Sequence, residues 1–340
     1  METQYIKRPP TREAWLDAIR PYIGGSEVQA LAGIPGFRTS VDLFLEKTGR
    51  AAPEERTPDD ELRLLRGQHD ESLVADEYTR RTGRAVRNYG YIVTRGHARA
   101  DVDRLIVPDG EKVASFREEV RAAGILECKV SDSPDWDENE PPPRYEAQVQ
   151  LYMELLDLPF ADIAAIVTKP RFRFLLYRVE RDRDIGAELC RRIEEFWARC
   201  IVPDDAEAVT PFVRSLADAR ALFPRGGGEA KEADADTAGR IRALRDTEAD
   251  IKQLTAHADK LKGEIAAAMG DADALTVDGK TVCTFRAPKP TDRIDFKGAF
   301  QDLALALHAD PMQTAGIISQ HRTLVNGARR FLLKAEKPEP

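Results

Sequence analysis

In the segment ILECKV, Glu127 and Lys129 stand two residues apart. On an extended strand this spacing turns both side chains to one face and sends Leu126 and Cys128 to the other. Upstream, RADVDRLIV carries Asp101 and Asp103, again two apart, so an acid from that strand can meet Glu127 across a sheet. Hard oxygen ligands converging on one point suit Mg2+ or Mn2+, which bind through one or two carboxylates plus waters and phosphate oxygens. A lysine beside such a site can position or deprotonate an attacking water and stabilise charge on phosphate. A salt-bridged strand pair on a solvated face accounts for the short pattern as well, so the surrounding residues must decide.

Glu71 falls on an inward stripe of a long helical pattern with Leu64, Val74 and Tyr78. A carboxylate there needs either a metal or a neighbouring arginine. Gln148 and Tyr152 lie one turn apart on another helix and share a face, where the amide could orient water or phosphate or simply bond a loop. The turn Gly24-Gly25-Ser26-Glu27 offers free backbone N–H groups, a hydroxyl and the positive end of a helix, which together suit a phosphate. Arg171 and Arg173 alternate with Phe172 and Phe174, giving one basic strand face that could track a phosphate backbone.

The elements needed to position these residues follow from caps and periodicity. Ser26 as N-cap opens a helix that Gly33 closes; Ser40 caps a second that Gly49 ends; a longer helix runs from about Asp59 to Gly83. Strand patterns cover 85–94, 98–107 and 123–130. An acidic, Pro-rich loop at 131–143 then delivers the chain to the helix RYEAQVQLYMELLDL. Strands at 161–168 and 172–180 precede an amphipathic helix ending near EEFWARC. The order predicts an α/β layer with a sheet of about five strands covered by helices.

Composition narrows the function classes. The chain has 340 residues, 42% hydrophobic and 32% charged, which suits two globular domains of a soluble protein. No apolar run is long enough to span a membrane and the N-terminus lacks a signal-peptide core, so the cytoplasm is the expected compartment. Four cysteines with no C-x2-C pair argue against zinc and iron–sulfur sites, and no Walker loop supports ATP-driven chemistry. A net charge of -8 argues against sequence-blind coating of nucleic acid but leaves room for a local basic groove. The expected domains are 1–222, a Gly/Ala/acidic linker at 223–236 and a C-terminal part at 237–340. That part holds a heptad helix, with Leu244, Ile251, Ala258 and Ile265 at one core position and Thr247, Leu254, Leu261 and Ala268 at the other. The helix either packs on its own domain or self-associates. A hairpin turning at Asp278-Gly279, then a helix and one more strand, complete the tail.

Taken in order, IGGSEVQALAG, the VDLFLEKTG helix, RGQHDE, ADVDRL followed by LECK, and YEAQVQLYM resemble the YqaJ-like viral recombinase family. That family groups the lambda-exonuclease-like phage alkaline exonucleases within the PD-(D/E)XK nuclease superfamily. The resemblance spans roughly residues 12 to 200 and implies a restriction-endonuclease-like α/β core. It further implies that Asp103, Glu127 and the Cys128 carbonyl, with Glu71, hold Mg2+ or Mn2+, two ions in all. Lys129 would act on the water, and Gln148 would support the site. Ser26 would hold the 5′-terminal phosphate beside Gly25, with Tyr152, Arg171 and Arg173 as further DNA contacts. An arginine seven residues before that serine is usual in the family; here Arg20 lies six before it. Asp101 stands where relatives have a small or amide residue. The implied activity is a 5′-to-3′ exonuclease on double-stranded DNA ends, leaving 3′ single strands for recombination. A trimeric ring, a single-strand annealing protein as partner, and a phage or prophage origin in a bacterial host accompany it. The alternatives are an endonuclease or a nuclease of other polarity, and a non-catalytic DNA-binding or assembly protein working through the heptad helix.

Overall fold

The computed structural model describes residues 2–36, 38–51, 57–110, 122–133, 135–228, 230–286, 296–308 and 310–320. The chain divides into two compact units, Met1–Pro224 and Arg225–Pro340.

The first unit begins with β1 (Thr3–Lys7), α1 (Arg12–Ile19), β2 (Ile23–Gly24), α2 (Gly25–Ala32), α3 (Ser40–Lys47) and α4 (Pro58–Thr82). Next come β3 (Val86–Arg87), β4 (Tyr91–Arg95), β5 (Ala98–Ala100), β6 (Arg104–Ile106), β7 (Gly124–Ser131) and α5 (Pro143–Leu156). The unit ends with β8 (Phe160–Val167), β9 (Arg173–Glu180), α6 (Arg183–Phe196), a π-helical turn at Trp197–Ile201 and α7 (Leu216–Leu222). The expected α/β core is present as a five-stranded mixed sheet in the order β3-β6-β7-β8-β9, flanked by helices. Only the β7–β8 step is parallel, and α5 lies in the crossover between them. Leu126 and Cys128 pack with Val74, Ala75 and Tyr78 of α4 on one face. Ile125, Ile163 and Ala165 join Val149, Leu151 and Met153 of α5 in the larger core on the other.

A second, four-stranded sheet, β1-β4-β5-β2, was not foreseen. It explains why the strand patterns at 85–94 and 98–107 each break in two. The chain leaves the main sheet after β3, runs through β4 and β5 in the second sheet, and returns at β6. Asp101 and Asp103 therefore sit on the crossing between sheets and not on one strand face.

Two caps also differ from expectation. The N-cap of α2 is Gly24, two residues earlier than Ser26, because the Glu27 carboxylate reaches back 2.7 Å to accept the Gly24 N–H. The N-cap of α3 is Thr39, whose hydroxyl accepts from Asp42 N; Ser40 instead donates to the Ala30 carbonyl at 2.9 Å and ties α3 to α2. Gly33 and Gly49 close these helices with φ of 82° and 72°, as their type predicts.

The second unit contains α8 (Ala235–Met269), the hairpin β10 (Ala274–Val277) and β11 (Lys280–Thr284), α9 (Phe296–Ala306) and α10 (Pro311–Gln320). Asp278 and Gly279 both take positive φ at the hairpin turn, as the Asp-Gly pair predicts. Only Met269 of α8 is buried, and Ile251, Leu254, Leu261 and Ile265 of the heptad stripe stay exposed. Where one helix was expected after the hairpin there are two, and the expected last strand lies outside the described residues.

Candidate active site

The alternation of β7 places Glu127 and Lys129 on the α5 side of the sheet, as their spacing requires. Lys129 Nζ donates to Glu127 Oε1 at 2.5 Å. Gln148 Nε2, one helix away on α5, donates to the same oxygen at 2.6 Å and to the Tyr152 hydroxyl at 3.1 Å. Gln148 and Tyr152 do share a face, and that face supports Glu127. The Cys128 N–H donates to Asp103 Oδ2 at 2.8 Å, which seats the aspartate against the middle of β7.

Glu127 is 1% exposed, and its Oε2 is a buried atom with no hydrogen-bond partner. Burial, with the nearby Asp103 charge, pushes its carboxyl up to about 8 against the opposing pull of Lys129. Burial raises Asp103 too, although Lys129 and the Cys128 N–H oppose it. Burial works against the Lys129 charge, but Glu127 and Asp103 outweigh it and hold the ammonium above its ordinary range. Two neighbouring buried carboxylates beside a fixed ammonium, one of their oxygens unsatisfied, leave a site short of positive charge.

A pH effect on stability follows with a definite sign. A carboxyl raised in the folded state binds protons that the unfolded chain releases, so its stabilising contribution is full below its ordinary value of 4.5 and is lost as pH rises through about 8. Thermal melts in EDTA should show stability falling across that window, and Glu127→Gln should flatten the fall. An unchanged slope in the variant would refute the assignment.

Other predicted residues go elsewhere. Asp101 accepts from Trp15 Nε1 at 2.9 Å, pairs with Arg8 and lies 3.8 Å from Arg99, so it belongs to the second sheet and its N-terminal cover. Glu71 is met by an arginine, Arg104, which also donates to the Asp103 carbonyl; burial and Asp103 raise the Glu71 carboxyl. Arg20 is exposed at the end of α1 and pairs with Asp17 at 3.0 Å. Arg171 and Arg173 both face Glu138 of the acidic loop, at 3.3 and 3.6 Å. Among the described residues no three His, Cys, Asp or Glu side chains gather as a metal cage. A cation at Glu127 Oε2 would therefore rely on Asp103, the Cys128 carbonyl and water, a donor set that fits Mg2+.

Ser26 is exposed in the first turn of α2, whose start rests directly on α5. A Cβ on Gly25 would lie 2.5 Å from the Tyr152 ring and 2.7 Å from Gln148 Cγ, so glycine is what permits this approach. Arg99, which sequence reasoning missed, is buried against Gly24 and binds Glu27 at 3.3 Å. Its signal was an arginine between two alanines in a short buried strand. Also missed were Arg144 and Tyr145, which line a cleft of about 940 Å³ together with Glu71, Cys128, Lys129 and Lys169.

Residues 14–157 match the model of the YqaJ-like viral recombinase domain. Every residue of the Asp103, Glu127, Lys129 and Gln148 cluster falls inside the matched segment. The uncharacterized protein YqaJ of Bacillus subtilis (strain 168) is 26% identical over 294 residues, which are 84% of this chain and 86% of that protein. Among solved structures, the alkaline exonuclease LHK-Exo of Laribacter hongkongensis is 19% identical with a TM-score of 0.42, covering 58% of this chain and 99% of its own. A phage-related exonuclease from Haemophilus somnus 129PT is 13% identical with a TM-score of 0.37, covering 54% and 96%. No helix among the described residues is long and apolar enough to cross a membrane.

Proposed function

We propose that the YqaJ-like unit is a Mg2+-dependent deoxyribonuclease that degrades double-stranded DNA ends from 5′ to 3′. The observation that carries this reading is the unsatisfied Oε2 of buried Glu127, close to Asp103 and to Lys129, the latter lining the cleft. Asp103, Glu127 and the Cys128 carbonyl would hold the ion, which when bound would polarise a phosphate oxygen and lower the pKa of water. Lys129 Nζ is fixed by Glu127 and lies 5.0 Å from the centre of the Tyr145 ring, so it can present a proton donor and a positive charge to the phosphate. Gln148 donates to the same Glu127 oxygen as Lys129 and so helps hold the carboxylate in place. The exposed Ser26 hydroxyl in the first turn of α2 would receive the 5′-phosphate at the positive end of that helix and so set the polarity. A ring of subunits and a single-strand annealing partner remain part of the same proposal.

Digestion of linear duplex DNA with and without Mg2+, using 5′-phosphoryl and 5′-hydroxyl ends beside closed circular duplex, tests the reading. Metal-dependent loss of the linear DNA alone, faster from the 5′-phosphate, is the expected result. Nicking of the circle would make the protein an endonuclease, and no degradation with any divalent metal would make it a binding or assembly protein.

A further inference from the structure

The acidic loop after β7 is neither a free flap nor a bare spacer. Trp136 is 3% exposed and stacks between Tyr145 and Tyr177, with ring centroids 5.1 and 6.1 Å away. Tyr177 donates to the Asp137 carbonyl, and Arg173 donates to the Trp136 carbonyl at 3.3 Å. The loop backbone is thereby fixed along the cleft wall, and its carboxylates fall on a row of cations. Asp132 meets Lys169 at 3.1 Å, Asp135 meets Arg144 at 3.0 Å, and Glu138 meets Arg171 and Arg173.

At Arg144 and Arg173 the two sides of these pairs are not equivalent, whereas Lys169 and Arg171, at 71% and 75% exposed, are as open to water as the acids they meet. The side chains of Arg144 and Arg173 are only 12% and 18% exposed, and Arg144 is braced 4.7 Å above the Tyr145 ring, so these cations are held in place. The side chains of Asp132, Asp135 and Glu138 are 71%, 50% and 61% exposed, so these acids can swing into water at little cost. Lys169 and Arg144 line the same cleft as Lys129, and Arg171 and Arg173 continue the row toward β9.

We propose that Arg144, Lys169, Arg171 and Arg173 form a phosphate track for the strand entering the cleft, and that Asp132, Asp135 and Glu138 stand in for its phosphates until DNA displaces them. The loop then acts as a built-in competitor: it keeps the cations aligned and weakens binding to any nucleic acid that does not fill the whole track. The inference rests on the nuclease reading only in taking a nucleic-acid backbone as the occupant.

The test is equilibrium binding of a fluorescent linear duplex in EDTA, where no cleavage occurs, as a function of salt. Asp132→Asn/Asp135→Asn/Glu138→Gln should bind roughly fivefold tighter at low salt and steepen the slope of log K against log salt by about 0.9 for each cation freed for phosphate, up to about 3.6 for the four. Asp135→Asn alone should move the same way by less. Adding Arg144→Ala and Lys169→Ala to the triple variant should remove the gain. Asp246→Asn/Glu248→Gln/Asp250→Asn on α8 makes the same change in net charge away from the track and should leave affinity unchanged. Equal tightening by both triple variants, no tightening by the loop variants, or a gain that survives loss of Arg144 and Lys169 overturns the proposal. Because the readout needs no metal, failed digestion alongside the expected binding would overturn the nuclease reading and leave the track standing.

Discussion

Glu127→Gln and Lys129→Ala are each expected to lower Mg2+-dependent cleavage by about 10³-fold or more, the scale on which loss of a metal ligand or a transition-state charge partner is felt. Both side chains meet at one oxygen, Glu127 Oε1, and the other oxygen, Oε2, has no partner at all. The glutamine retains the shape that Lys129 and Gln148 pack against but cannot supply the charge that a divalent ion needs. Folding should survive in this variant, because in a metal-free protein burial already disfavours the Glu127 charge. Single-turnover digestion with saturating enzyme, together with circular dichroism melts, separates the two effects. Activity within tenfold of the unaltered protein in either variant would remove this cluster from the chemistry.

Gly25→Val should have the next largest effect, and through position alone. Its Cβ would enter space held by the buried Tyr152 ring and by Gln148, neither of which can retreat into a packed core without cost. Overpacking of this kind costs about 1–3 kcal/mol, and pushing Gln148 off Glu127 should slow cleavage roughly tenfold or more. Gly25→Ala should show the same pattern in milder form. Melting temperature and turnover measured together are the check. A valine variant as stable and as active as the unaltered protein would mean that α2 does not rest on the Gln148–Tyr152 face.

Much of the site was legible because its parts are local. The two-residue repeat of a strand turns Glu127 and Lys129 to one side, and the four-residue step of a helix stacks Gln148 with Tyr152. The Asp-Gly hairpin and the glycine helix ends were readable for the same reason, since a positive φ selects its residue type wherever it occurs. The aspartates show where such reasoning stops. Asp101 and Asp103 have the same spacing as Glu127 and Lys129, yet Asp101 turns to Arg8 and Trp15 while Asp103 turns to Cys128. The chain changes sheets between them, and no periodicity within nine residues records that change.

By itself, then, the sequence determined the order of most elements of the first unit, the faces of β7 and α5, and the acid-and-lysine pattern on which its resemblance to the YqaJ-like family rests. Tertiary structure decided the partners: Arg104 for Glu71, Glu138 for Arg171 and Arg173, and Trp136 as the anchor of the acidic loop. Each of those contacts joins residues more than thirty positions apart, Trp136 to Tyr145 excepted, and a charge in such a place takes whichever opposite charge the packed chain brings within reach. Backbone geometry sets the direction of a side chain within one element. What it meets there depends on how β3 through β9 and their helices are stacked, which is a property of the whole core.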